Sequence, residues 1–322
     1  MTPLGNKIIA KKIYELSIPI INKNFKLIES NDNTIYEKLI NENKLNPKID
    51  FRGKNIENGD FREQTISNIV AYISKFSNTD FSGSKISNMD SKFSLFNNVD
   101  FHDSKFENSH LTRTVFANSN FNNSDFSQTD FSTSKFHYSN LTNANFQNSN
   151  FRGIVMTDSI LHNSNFENSD FSHSEILNVD FTSSSLKNSK FSGAIIGLCN
   201  LKGIDFSTIK ISDSYKTSTT SFRNCNMQNS IFSQNDMLGV DFTSKYFTKS
   251  TGEYMYTLPG SDMRNASFID VDLRKTSFSL FADGVELDFK TPEIRAEVRN
   301  SLAVKLDFTK FINADLRDNN MS

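Results

Sequence analysis

From Phe51 to Ile211 the chain repeats every five residues. Of the 33 positions reached by steps of five, 32 are apolar and 19 are Phe. Only Ser91 is polar, and Ala71 is small. Neither the helical period of 3.6 nor the strand period of 2 produces such a column. A second column runs two residues earlier: from Ile49 to Ile209, 23 of 33 positions are Ser, Thr, Ala, Gly or Cys. From Ser104 to Ser149 all ten are Ser, Thr or Ala. The unit therefore reads small, polar, apolar, then two variable residues that are mostly Ser, Asn, Thr, Arg or Gly.

Particular units carry a resemblance. Ser169-Asp170-Phe171, Thr129-Asp130-Phe131, Ala144-Asn145-Phe146 and Ala314-Asp315-Leu316 are similar to the A(D/N)LXX unit of the pentapeptide-repeat family. The resemblance covers about two-thirds of the chain. It implies an all-β solenoid: a right-handed quadrilateral β-helix with four units per coil. The physical reading agrees. A turn every five residues makes a square coil of 20, with the apolar and small residues inward and the other three outward. Coils would stack at the strand spacing of about 4.8 Å. Residues 20 apart then form columns, such as Phe61, Phe81, Phe101, Phe121 and Leu141, in which like rings lie over like rings. Ser hydroxyls are expected to bond locally to backbone, as they do in turns.

The pattern has limits. Residues 1–47 are not repeats; Ile9, Ile13 and Leu16, then Ile35 and Leu39, have helical spacing on either side of Pro19. They are expected to form a helical cap over an open coil end, or a targeting segment. Residues 48–247 are assigned to the β-helix. After Ile211 the frame slips by one residue and resumes at Phe222. Residues 248–262 interrupt it again and are expected to project as a loop. Residues 263–322 resume the repeat around a helix at 291–304. There Thr291 can cap, Pro292 takes the first helical position, and Ile294, Val298 and Leu302 form a stripe.

The chemistry-bearing residues are sparse. Cys199 and Cys225 occupy small inward positions and read as core residues. His102 and His162 share a column but lie three coils apart, about 14 Å at the strand spacing, too far to share a metal. His110, His137 and His173 are expected on the surface. No nucleophile elbow, P-loop, zinc-protease or dinucleotide fingerprint is present. No catalytic residue, metal site or cofactor is therefore expected. The 35 basic and 37 acidic residues nearly cancel, which argues against direct nucleic-acid binding. No apolar run reaches membrane-spanning length, and no Sec signal is recognised.

Two surface features remain as candidate partner-binding sites. The first is a column containing Asp60, Asp80, Asp100 and Asp180 among Asn120, Asn140, Ile160 and Asn200, a stripe able to imitate DNA phosphates. However, residues 46–247 hold 20 acids and 18 bases, less lopsided than a DNA mimic requires. The second is Tyr246, Tyr254 and Tyr256, three of eight tyrosines within eleven residues. The expectation is a non-enzymatic protein-binding scaffold, bacterial, acting in the bacterial cytoplasm or as an effector translocated into a host cell, with a host protein as partner. Phe- and Ser-rich coils resemble the β-helix segment of HECT-like secreted effectors. The alternative is a topoisomerase-protecting DNA mimic, since the repeats also resemble those of quinolone-resistance pentapeptide proteins. That group dimerises through a C-terminal helix, which here would be 291–304. This chain departs from that group in three ways: more repeats follow its helix, its charge is balanced, and a 47-residue N-terminal extension precedes its repeats.

Overall fold

A left-handed residue bends the chain once in every five-residue unit. The computed structural model describes residues 49–211, 220–233, 237, 240–242, 245–248, 254–258, 263, 267–269 and 310–312. From Gly53 to Gly203, all 31 residues that stand two after the centre of a unit have positive φ, between 51° and 73°. Asn, Gly and Asp fill 21 of these positions, because they visit the left-handed region at little cost. This conformation closes a square coil, and the Asn richness of the sequence is its signature.

The chain divides into two compact units, residues 1–170 and 171–322. In the first, the strands Asn55–Glu57, Lys75–Ser77, Leu95–Asn97, Val115–Ala117, Lys135–His137 and Val155–Thr157 pair in parallel, each with the strand 20 residues on. A second side begins with Thr65–Ser67, Lys85–Ser87 and Lys105–Glu107 and continues as single bridges to Asp125, Asn145 and Asn165. A third runs through Asp60, Asp80, Asp100, Asn120, Asn140 and Ile160. The fourth starts at Ile49–Asp50 on Ile69–Val70 and continues through Asp90, His110, Asp130, Asn150 and Asp170. Four sides of five residues make the coil of 20, and the unit is the four-sided parallel β-solenoid that the repeat implies.

Phe rings fill its interior. Phe61, Phe81, Phe101 and Phe121 stack at centroid distances of 4.7, 5.5 and 5.0 Å. Phe76, Phe96, Phe116 and Phe136 do so at 4.7, 5.2 and 4.9 Å, and Phe106 lies on Phe126 at 4.3 Å. Rings on adjacent sides meet edge to face, as Phe116 meets Phe121 at 5.3 Å and 72°. Both geometries suit the ring quadrupole.

The small inward column does more than fit. Ser134 Oγ accepts a hydrogen bond from the Thr114 amide at 3.0 Å and donates to the Leu111 carbonyl at 2.6 Å. Ser149 does the same with Thr129 N–H at 3.3 Å and Phe126 O at 2.9 Å, and Ser94 with Ser74 N–H and Ala71 O. Each such hydroxyl pins one coil to the coil before it, satisfying a backbone amide that lies inside the turn. The hydroxyls were expected to bond locally; at these positions they bond between coils, though Ser104 and Ser124 do bond within their own coil, to Phe101 and Phe121.

The second unit keeps the same register with insertions. Glu175–Leu177 pairs with Ile195–Gly197 at a step of 20, but Ile196 pairs with Phe222, 26 residues on. The frame slip after Ile211 is thus an insertion, and the core rings still overlap, Phe206 on Phe232 at 4.5 Å. The strands Ile231–Ser233, Ser267–Ile269 and Lys310–Ile312 pair with Phe232 opposite Phe268 and Phe268 opposite Phe311, steps of 36 and 43. Within the first of these insertions, Lys245–Thr248 and Tyr254–Leu258 form an antiparallel pair. Phe247, at the end of the expected repeats, thus pairs with Tyr256 within the segment 248–262 expected to project as a loop. The expected helices, over 1–47 and at 291–304, lie outside the described residues, as does the dimer contact through 291–304.

Removing one inter-coil hydroxyl should be costly. Ser134→Ala leaves the Thr114 amide buried without a partner, and a loss of about 1–3 kcal/mol is expected in urea unfolding. Ser104→Ala, whose hydroxyl bonds only to its own turn, should cost less.

Candidate functional site

The acidic column is built into the turns. On this side, the Asp and Asn residues that precede an apolar centre turn a carbonyl or carboxylate oxygen onto the amide two residues later. Asp60 Oδ1 accepts from Arg62 N–H at 3.1 Å, Asp80 from Ser82 at 2.8 Å, and Asp100 from His102 at 3.0 Å. Asp180 accepts from Thr182 at 2.9 Å. These Asx turns are local and require a side-chain oxygen, not a charge. Asn120 and Asn140 serve equally and add a ladder, Asn120 Nδ2 donating to Asp100 at 3.0 Å and Asn140 Nδ2 to Asn120 at 3.3 Å. Asp60, Asp80 and Asp100 lie in consecutive coils, bridged along one side, whereas Asp180 belongs to the second unit.

Several of the aspartates also hold a base. Arg62 donates to Asp60 through Nε at 2.9 Å and Nη2 at 2.6 Å, and reaches Asp80 at 3.9 Å. These bonds hold the Asp60 carboxyl below the usual range. His102 Nδ1 lies 3.0 Å from Asp100, and the hydrogen bond raises the His102 pKa. Asp50 and Arg52, and Asp90 and Lys92, repeat the motif on the neighbouring side. The stripe is therefore charge-compensated where it is most acidic.

Tyr246 pairs with Thr257, Phe247 with Tyr256, and Thr248 with Tyr254, with a register shift between Phe247 and Thr248. All three tyrosines thus stand on the two strands of one hairpin.

Cys199 and Cys225 are buried and not joined in a disulfide. Their thiols donate to the carbonyls of Gly197 at 3.2 Å and of Ile196 at 3.5 Å. Burial, and then contact with Cys225, pushes the Cys199 thiol well above its ordinary pKa, so it is a poor nucleophile. Among the described residues no three His, Cys, Asp or Glu side chains gather as a metal site. No helix among them is long and apolar enough to cross a membrane. His137, expected on the surface, is 5% exposed and accepts or donates through Nδ1 to Thr157 Oγ1 at 2.9 Å. Its neighbours above and below in the column, Ala117 and Thr157, are also buried and cover it.

The turn column carries a signal that the five-residue period hides. Where Asn, Gly or Asp dominate, Ile73 has φ 57° and Phe93 has φ 60°. A β-branched or bulky side chain in the left-handed region costs about 1–2 kcal/mol. Ile73 is 48% exposed and the preceding Tyr72 is 37% exposed. Phe93 is half-buried, its ring meeting Tyr72 at 5.4 Å. The sequence shows this only as an apolar residue in a polar column.

A family model described as "Pentapeptide repeat region" matches residues 134–214, and one described as "Pentapeptide repeats (8 copies)" matches 74–113 and 94–132. No curated protein matches the sequence. Among solved structures, the chain is similar to a trypsin-treated form of QnrB1, a plasmid-mediated fluoroquinolone resistance protein. The identity is 20%, over 57% of this chain and 82% of that one, with a TM-score of 0.37. It is also similar to HetL, a pentapeptide repeat protein involved in heterocyst differentiation regulation in the cyanobacterium Nostoc sp. There the identity is 11%, over 91% of this chain and 95% of that one, with a TM-score of 0.33. A pentapeptide repeat protein of the Arabidopsis thaliana thylakoid lumen matches at 16% identity, over 38% and 68%, with a TM-score of 0.27. Likenesses at these scores do not specify how this chain is used.

His137 gives the acid limb of stability a measurable origin. Burial, then the charge of Lys135, lowers its pKa from 6.5 to about 4. The folded state keeps the ring neutral while the unfolded state protonates it below about pH 6.5. Stability is thus full above that pH and falls as the pH drops towards 4, by roughly 3 kcal/mol. His102, whose pKa is raised, contributes stability throughout that window and loses it only as the pH rises. In urea titrations at several pH values, His137→Gln should remove most of the loss between pH 6.5 and 4.

Proposed function

The chain belongs to the pentapeptide-repeat family, and from that premise we propose that it is a non-enzymatic scaffold whose outer faces bind another protein. One observation carries the reading. The interior of the coils is occupied by stacked Phe rings and by hydroxyls that close the chain's own backbone bonds. Recognition is then left to side chains that point outward, held in register every 20 residues by the parallel strands. A stack of this kind offers surfaces in place of a pocket. We place its partner in a host cell, as for an effector, with Tyr246, Tyr254 and Tyr256 on the hairpin as candidate contacts and with no cofactor.

The competing reading, DNA mimicry towards a topoisomerase, draws on the stripe of Asp60, Asp80 and Asp100. Its weakness is electrostatic. Arg62 and His102 sit on the stripe, and the aspartates have turns to hold whether or not they meet a partner. A mimic needs a sustained negative potential along its length.

Chemical cross-linking of the full chain in host-cell lysate should join one or a few proteins to its outward lysines. Cross-links that scatter over many proteins with no preferred position would sink the scaffold reading. In a gyrase supercoiling assay no inhibition, and no rescue from a quinolone, is expected in the micromolar range. Inhibition abolished by Asp80→Asn and Asp100→Asn would put the mimic in its place.

A further inference from the structure

Ile73 and Phe93 occupy corners in consecutive coils of the first unit, each in a left-handed conformation and neither in the core. With Tyr72 they form a continuous strip. The Tyr72 ring meets Phe93 edge to face at 72°, and the Arg113 guanidinium lies 5.1 Å from the centre of the Phe93 ring. On the next side, half-buried Leu95 and Val115 pair in register. The strip thus spans three coils, and the packing of the interior does not use it.

Strain and exposure coincide here. At the next corner of the same coils Asn78, Asn98 and Asn118 adopt the same φ with a residue type suited to it. Asn at 73 and 93 would relieve the backbone and hide apolar surface from water. Keeping Ile and Phe works against the fold alone, which directs attention to something outside it.

The rim supplies the chemistry of that partner. Lys54, Lys75, Arg113 and Lys135 have no acidic partner among the described residues, whereas Asp50 and Asp90, which precede the same corners, are engaged by Arg52 and Lys92. An apolar strip inside a basic rim is complementary to apolar side chains inside an acidic one.

We propose that this corner docks an acidic segment of a partner protein that carries one or two large apolar side chains. The apolar groups would pack on Ile73, Tyr72 and Phe93, and the carboxylates would meet Lys75 and Arg113. Aromatic and Arg side chains are the usual energetic anchors of such contacts. The inference rests on the protein-binding reading above and adds where and what.

Random peptides displayed on phage, panned against the immobilised full chain, test it. Peptides with Asp and Glu flanking Phe, Leu or Trp should be enriched. Synthetic copies should bind at least about tenfold more weakly to an Ile73→Asn/Phe93→Asn chain. That variant should unfold at an equal or higher temperature than the parent, so weakened binding cannot be ascribed to unfolding. An Arg113→Gln chain, with the apolar strip intact, should also bind more weakly, and more so at low salt. Peptides that bind both chains alike would overturn the corner while leaving the scaffold reading in place. Enrichment of basic or neutral peptides would overturn the chemistry. Binding of the chain to phosphatidylserine vesicles that is lost in the double variant would assign the strip to a membrane, and sedimentation of the parent as a dimer that the variant does not form would assign it to a second copy; either overturns the proposal. A chain that enriches no peptide, and cross-links to no protein, defeats the scaffold reading itself.

Discussion

A backbone that enters the left-handed region at every fifth residue governs this molecule. The turn fixes the side at five residues, four sides close a coil of 20, and the register of 20 brings each residue under its own kind. Everything else follows from that recurrence. The ring stacks exist because Phe recurs at the centre of a side, and the Asx turns because Asp or Asn precedes it. The hydroxyl bonds between coils exist because a small residue recurs two positions earlier, where only a short side chain reaches both the amide of one coil and the carbonyl at its corner.

Much of this is legible in the sequence, since a narrow interior admits few residue types. The apolar and small columns give the coil, its pitch and the inward side chains directly. Less legible are features that depend on what stands beside a residue. His137 looks like any outward histidine, yet Ala117 and Thr157 in the adjoining coils close over it. The hydroxyl bonds between coils need the distance from Ser134 to Thr114, which spacing alone does not supply. The segment at 248–262 breaks the period, and a break does not say what replaces it; here it is partly an antiparallel strand pair. Insertions behave differently from substitutions in this fold. The steps of 26, 36 and 43 show that the chain accepts added length between paired strands and recovers its register, because only the inward residues must align.

The candidate site was legible in part for the same reason. The aspartates of one side were visible as a column, but their role in the turns and the bases beside them appear only with geometry. Asp60 and Asp100 show how local needs are met first: each oxygen has an amide to hold and a base at hand before any partner arrives. Acidic columns in a repeat of this type therefore report turn chemistry unless they are left uncompensated.

The turn column supplies the stronger test of function, because its physical demand is the same at every corner. Against a uniform demand, an exception is informative. Tyr138 and Leu198 also take positive φ, but each stands alone in its column, with Asn118 and Asp158 beside the one and Asn178 and Asn224 beside the other. Ile73 and Phe93 are neighbours in consecutive coils, joined to Tyr72 on one side and covered by Arg113 on the other. A single large residue at a corner is what drift leaves in a tolerant surface. Two adjacent ones, both strained and both outside the core, bordered by bases without an acidic partner among the described residues, require a coincidence of independent costs, which a partner surface removes.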